Sequence, residues 1–177
     1  MDLASYIRDI PDFPKPGILF KDITPLLAEP PAFQHAIDLL AEHYRPEPLD
    51  AVAAAEARGF LLAAPMALLM KVPLIPLRKP GKLPHRVHSL KYELEYGMAE
   101  LQVHIDGVPA GAEVLMIDDL LATGGTALAA VSLVEQSGAQ IVECAFVIEL
   151  LDLPGRQRLE ARGHAVHALC GFTETEN

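Results

Sequence analysis

The sequence predicts an α/β fold with a mainly parallel central sheet flanked by helices. Three observations carry this. Apolar runs of strand length alternate along the chain with segments of helical character, the pattern of a sheet covered on both faces. The run Val114 to Ile117 is apolar throughout rather than alternating, as in a strand buried on both sides. The 177 residues, 51% hydrophobic and 21% charged, suit one globular domain spanning 1–177.

Asp2 to Ile10 reads as a short amphipathic helix, with Leu3, Tyr6, Ile7 and Ile10 on one face, ended by Pro11. Phe13 to Pro25 reads as an irregular segment broken by Pro14, Pro16, Gly17 and Pro25. A helix follows over Pro31 to Tyr44, with Phe33, Ile37, Leu40, Ala41 and Tyr44 facing the core. Asp50 to Ala55 is a buried strand, Gly59 to Met70 a mostly buried helix and Val72 to Leu77 a strand. Residues 80–100 carry charge and prolines without a helical period, so a long mobile loop is expected there. It includes a short hairpin whose second arm, Glu100 to Ile105, alternates Leu101, Val103 and Ile105. Glu113 to Ile117 is a strand and Gly125 to Ser137 a helix stopped by Gly138. Strand Ile141 to Leu150, helix Gly155 to Arg162 and strand His164 to Leu169 complete the chain.

The formal net charge of −10 argues against a nucleic-acid binder, which needs a basic footprint. Cys144 and Cys170 sit among apolar neighbours without metal-ligand or disulfide-framework spacing, so reduced thiols and a cytoplasmic setting are expected. No apolar run reaches membrane-spanning length, and the N-terminus lacks a secretory pattern, so no membrane association is expected.

The richest stretch is Glu113 to Thr126, E-V-L-M-I-D-D-L-L-A-T-G-G-T. Asp118 and Asp119 fall at the carboxyl end of a predicted strand, where open α/β sheets bind ligands. Carboxylates there accept hydrogen bonds from vicinal ribose hydroxyls. Ala122, Thr123, Gly124, Gly125 and Thr126 then offer backbone N–H groups, two hydroxyls and no bulk before a helix start. That composition admits a phosphate.

Other clusters fall at the ends of the neighbouring strands. Glu56-Ala57-Arg58-Gly59 can hold a second anion, and Arg78, Lys79 and Lys82 add three cations. A departing pyrophosphate needs such charge. Each cluster alone is equally well a solvated loop. Glu95, near the end of the long loop, is a candidate general acid–base or a solvated carboxylate. Phe20 lies in the proline-rigid segment Phe13 to Asp22. An aromatic held this way can stack on a planar base or belong to the core.

The fourteen-residue stretch closely resembles the phosphoribosyl-pyrophosphate signature of the type I phosphoribosyltransferases. F-P-K-P-G-I-L-F-K-D-I-T, E-A-R-G-F, R-K-P-G-K-L-P, Y-E-L-E-Y-G and D-D-L-L-A-T-G-G-T occur in the order found in the adenine branch of that family. The resemblance implies an N-terminal hood within residues 1–30 that covers adenine, a flexible catalytic loop over 80–100, and a homodimer. The reaction implied is adenine plus 5-phosphoribosyl 1-pyrophosphate (PRPP) giving AMP and pyrophosphate, in purine salvage. Mg²⁺ would be held mainly through substrate oxygens and water, with no protein ligand assigned.

It also implies roles. Asp118 and Asp119 would hold the ribose hydroxyls, and Ala122 to Thr126 the 5′-phosphate. Glu56, Ala57 and Arg58 would serve the pyrophosphate, with Arg78, Lys79 and Lys82 adding charge. Phe20 would stack on adenine, the Leu19 carbonyl would accept from its 6-amino group, and the Lys21 N–H would donate to N1. Glu95, Arg58 and Lys79 would carry the catalysis, Glu95 by exchanging a proton with the purine. Two places depart from the pattern: Ala57 stands where some members carry Ser, and Leu83 to Leu90 matches poorly. The rival readings are a transferase for hypoxanthine or xanthine, and a non-catalytic PRPP-sensing regulator of the same fold. The segment from Phe13 to Asp22 speaks against the first, and the missing basic face against the second.

Overall fold

A computed structural model describes residues 1–46, 48–93 and 97–173. Its centre is a five-stranded, all-parallel sheet in the order β4-β3-β7-β8-β9. These strands are β3 (Ala51–Ala55), β4 (Leu74–Leu77), β7 (Glu113–Leu121), β8 (Gln140–Leu150) and β9 (Val166–Phe172). Strands β3 and β7 are hydrogen-bonded on both edges and covered on both faces, which is why their sequences run apolar without alternation.

The faces belong to two separate cores. On one, Ala51, Ala53 and Ala55 of β3 pack with Val114 and Met116 of β7 against Ala127, Ala130, Val131 and Val134 of α4 (Gly125–Gln136). On the other, Val52, Ala54, Leu115 and Ile117 meet α2 (Pro30–Tyr44) and α3 (Gly59–Met70). The period of two along each strand delivers alternate residues to the two cores. The alanines of β3 leave room for α3 to lie close. Short helices α1 (Thr24–Ala28) and α5 (Gly155–Glu160) complete the framework.

Two antiparallel pairs lie outside this sheet. Asp2 to Ile10 is not the expected helix. It forms a single 3-10 turn over Ala4–Tyr6 and then strand β1 (Arg8–Pro11). β1 pairs with β2 (Leu19–Asp22), so the segment expected to be irregular holds a strand. Cross-strand partners override the local helical period here: Arg8 reaches Asp22 at 2.6 Å, and Lys21 reaches Asp9 at 2.7 Å.

The second pair is β5 (Val87–Glu93) with β6 (Met98–His104). The expected hairpin is therefore present, but its first arm occupies much of what reads as loop in sequence. Leu90 and Tyr92 pack against the core that holds α4, which gives β5 a partly buried face.

Candidate active site

A cleft of ≈ 550 Å³ opens at the carboxyl ends of β3 and β7. Glu56, Ala57, Arg58, Lys79, Asp118, Asp119 and the turn Ala122 to Thr126 all line it. Segments separated by about sixty positions in the chain thus converge, as the parallel topology requires.

The two aspartates do not follow the strand, as their sequence position suggests; they belong to it. β7 runs on to Leu121 because β8 is long enough to pair with it, Leu120 facing Ile148 and Leu121 facing Glu149. The pairing of β7 with β3 stops at Ile117, opposite Ala54. From Asp118 onward one edge of β7 is open, and the cleft occupies that opening.

Asp118 turns its carboxylate towards the start of α3, and its Oδ1 accepts from the Asp119 N–H at 2.9 Å. A Cβ on Gly59 would lie 2.9 Å from that oxygen and 3.1 Å from the Ile117 carbonyl, so only glycine fits at this helix start. Burial, and then the neighbouring Asp119, push the Asp118 carboxyl well above the ordinary aspartate range. The Asp119 side chain is 6% exposed, and its Oδ2 accepts a short hydrogen bond from Arg58 Nε. The Arg58 guanidinium also lies 5.4 Å from the centre of the Phe20 ring.

Glu56 ends the β3 side of the cleft, and the Glu56–Ala57 peptide is cis. Glu56 Oε2 accepts from Arg78 Nε and from the Lys79 N–H, both at 3.0 Å. These two bonds, the Arg78 bond foremost, hold its carboxyl below the usual glutamate range. Arg78 is thereby spent on shaping the turn and does not line the cleft, whereas Lys79 does. Lys82 lies beyond the cleft wall and is exposed.

At the opposite end, α4 begins at Gly125 directly after the turn. Tyr92 of β5 reaches Thr126, Oη to Oγ1, at 3.4 Å. Arg158 of α5 donates to the Thr123 carbonyl at 2.7 Å. Tyr92 lies in the Y-E-L-E-Y-G motif, where it reads as a core or hairpin residue, and Arg158 reads in the sequence as an ordinary surface cation.

The N-terminal candidates are placed unevenly. Phe20 approaches the cleft through Arg58 and packs edge-on against Phe13, with centroids 5.2 Å apart. Leu19 and Lys21 do not line the main cleft. They border a hollow of ≈ 20 Å³ beside Leu150, Asp152 and Phe172. The Lys21 side chain is buried, paired with Asp9 and held 4.4 Å from the Phe172 ring centre. The residue facing Leu19 across the ladder is Pro11, which has no N–H to offer its carbonyl. Glu95 lies outside the described residues.

Comparison with known proteins agrees with this geometry. The family model of the phosphoribosyl transferase domain matches residues 22–169. An adenine phosphoribosyltransferase of Methylococcus capsulatus is 56% identical over 170 residues, covering 96% of this chain and 98% of that protein. The crystal structure of the enzyme of that name from Thermoanaerobacter pseudethanolicus superposes with a TM-score of 0.92 at 47% identity, covering 96% of this chain and 98% of its own. The one from Saccharomyces cerevisiae, crystallised with an imino-altritol bisphosphate and adenine, gives 0.90 at 40% identity over 95% and 96%. With its parallel sheet, its paired aspartates and its glycine-rich turn, the chain belongs to the phosphoribosyltransferase family and, within it, to the adenine phosphoribosyltransferases.

Proposed function

We propose that the cleft joins adenine to the phosphoribosyl group of PRPP, forming the bond from N9 to the anomeric carbon as that carbon's bond to pyrophosphate breaks. AMP and pyrophosphate leave. The observation that carries this is the order of groups along one cleft: anion-binding turn, paired aspartates, then cations.

The 5′-phosphate sits in the turn from Ala122 to Thr126, where the unpaired N–H groups at the start of α4 face it. The ribose hydroxyls donate to Asp118 and Asp119. Arg58 and Lys79 take the pyrophosphate against the Glu56–Ala57 turn, Arg78 fixes that turn, and Lys82 adds charge from outside. Residues 1–30 act as the hood over the base. Phe20 stacks on adenine, the Leu19 carbonyl accepts from its 6-amino group and the Lys21 N–H donates to N1. A hypoxanthine ring presents the opposite pattern and leaves both groups unpaired, at about 1–3 kcal/mol each.

Glu95 exchanges the proton that N9 surrenders. The family reaction uses Mg²⁺ with PRPP. Among the described residues no three His, Cys, Asp or Glu side chains gather to hold a metal, while PRPP itself is rich in oxygen donors. We assign the ion to substrate oxygens and water, where it would neutralise charge on the leaving group.

The working unit is a homodimer. Leu61, Leu68 and Leu69 on α3 are 48%, 81% and 47% exposed beside an apolar hollow of ≈ 540 Å³ lined by Phe33, Ile37 and Pro65. Such a surface suits a second copy. We assign the setting to the cytoplasm, a reducing compartment that would keep the free Cys144 and Cys170 as thiols.

Labelled adenine incubated with PRPP and Mg²⁺ tests the reading. AMP should form, and Glu95→Gln should lose turnover while keeping AMP affinity. A Glu95→Gln enzyme with unchanged turnover would remove the acid–base role.

A further inference from the structure

The phosphate turn is braced from behind by α5. A Cβ on Gly155 would stand 2.3 Å from the Ala122 carbonyl oxygen and 2.7 Å from Leu121 Cδ1, so the helix start touches the turn without room for a side chain. Three residues on, and therefore on the same helix face, Arg158 Nη1 donates to the Thr123 carbonyl at 2.7 Å. The helix is fixed from its other side by Arg156. That residue reaches buried Glu149 of β8 at 2.5 Å and the Val166 carbonyl of β9 at 2.8 Å.

We propose that Arg158 is a positioning residue for the 5′-phosphate, acting through the Thr123–Gly124 peptide. That peptide is trans, so its carbonyl and its N–H point in opposite directions. Drawing the Thr123 carbonyl outward to Arg158 holds the Gly124 N–H inward, towards the cleft that both residues line. A charged donor makes this bond stronger than a neutral one. The phosphate then meets a donor already aimed, with no peptide rotation required on binding. Arg158 touches no substrate in this scheme. The proposal rests on the reading that the turn binds the 5′-phosphate.

The test compares AMP with adenosine, which lacks the phosphate, by calorimetry on the full chain. Wild type should bind AMP much more tightly. Arg158→Gln should weaken AMP about tenfold, the loss of one charge-assisted bond, and leave adenosine unchanged. The KM for PRPP should rise while that for adenine holds. Arg158→Lys keeps the charge with a shorter reach and should fall between the two, and it serves as the test if Arg158→Gln fails to fold. Arg162→Gln removes a nearby cation that bonds Ser132 instead of the turn and should match wild type.

A wild-type ratio of AMP to adenosine affinity in Arg158→Gln, or equal weakening of both ligands, overturns the positioning role and leaves the phosphate reading standing. An equal loss in Arg162→Gln overturns it too, because charge alone would then explain the effect. Wild-type enzyme that does not discriminate AMP from adenosine removes the phosphate reading and this proposal with it.

Discussion

Arg58 Nε donates to one carboxylate oxygen of Asp119 across the cleft. The same carboxylate is the one proposed to accept a ribose hydroxyl, and a pyrophosphate beside it would offer the Arg58 guanidinium a second anionic partner. The Arg58 side chain is half exposed, which leaves it free to swing. Arg58→Gln should lower kcat/KM for PRPP by roughly 10²-fold, the usual cost of removing one such donor. AMP carries no pyrophosphate, so its affinity should change far less. Steady-state kinetics beside AMP calorimetry separates the two, and equal losses would contradict the assignment.

Asp118 is held at a cost to the fold. Burial and the adjacent Asp119 raise its folded-state pKa. Between its unfolded and folded values the native state binds more protons, so stability falls as pH rises through that window. Asp118→Asn keeps an oxygen for the Asp119 N–H and removes the charge. It should raise the Tm at pH 7, with the gain shrinking towards pH 4, while turnover drops. A lower Tm at pH 7 would show that the charge stabilises the fold instead.

Asp22 behaves in the opposite sense. Hydrogen bonds from Arg8 and the Thr24 backbone lower its pKa from 3.8 to about 2. Here the unfolded state binds more protons, so the stabilisation is present above the unfolded value and is lost as pH falls towards 2. Urea unfolding between about pH 4 and pH 2 should show a shallower pH slope for Asp22→Asn than for wild type. Identical slopes would mean that the β1–β2 ion pair does not couple to global stability.

The parts of the fold legible in the sequence are those where burial is continuous. β3, α3, β7 and α4 have apolar runs that suit a buried core; the ends of β3, α3 and α4 fall close to the expected ones, while β7 runs four residues past the expected Ile117. β1 and β2 were hidden because each is four residues long and partly exposed, with its stabilisation in cross-strand ion pairs rather than in pattern. β5 was hidden because its partly buried positions are mixed, Leu90 and Tyr92 together with Val87 and His88. The cleft residues at strand ends were readable for topological reasons. The bracing role of Arg158 was not, since an arginine in a short polar helix has the same composition whether it faces water or the back of a turn.

The exposed leucines of α3 lead to an assembly test. Leu68, 81% exposed, should lie within the contact between copies. Leu68→Glu should convert a dimer to a monomer in sedimentation velocity at micromolar concentration, because a buried unpaired carboxylate is costly. An unchanged dimer would place the interface elsewhere.

The most direct test follows pyrophosphate release with Mg²⁺ and PRPP, offering adenine, hypoxanthine, guanine and xanthine in parallel. Turnover with adenine and none with the three oxopurines is the predicted result, following from the roles proposed for the Leu19 carbonyl and the Lys21 N–H. Comparable turnover with any oxopurine would contradict the base-reading roles of Leu19, Phe20 and Lys21 while leaving the phosphoribosyl site intact.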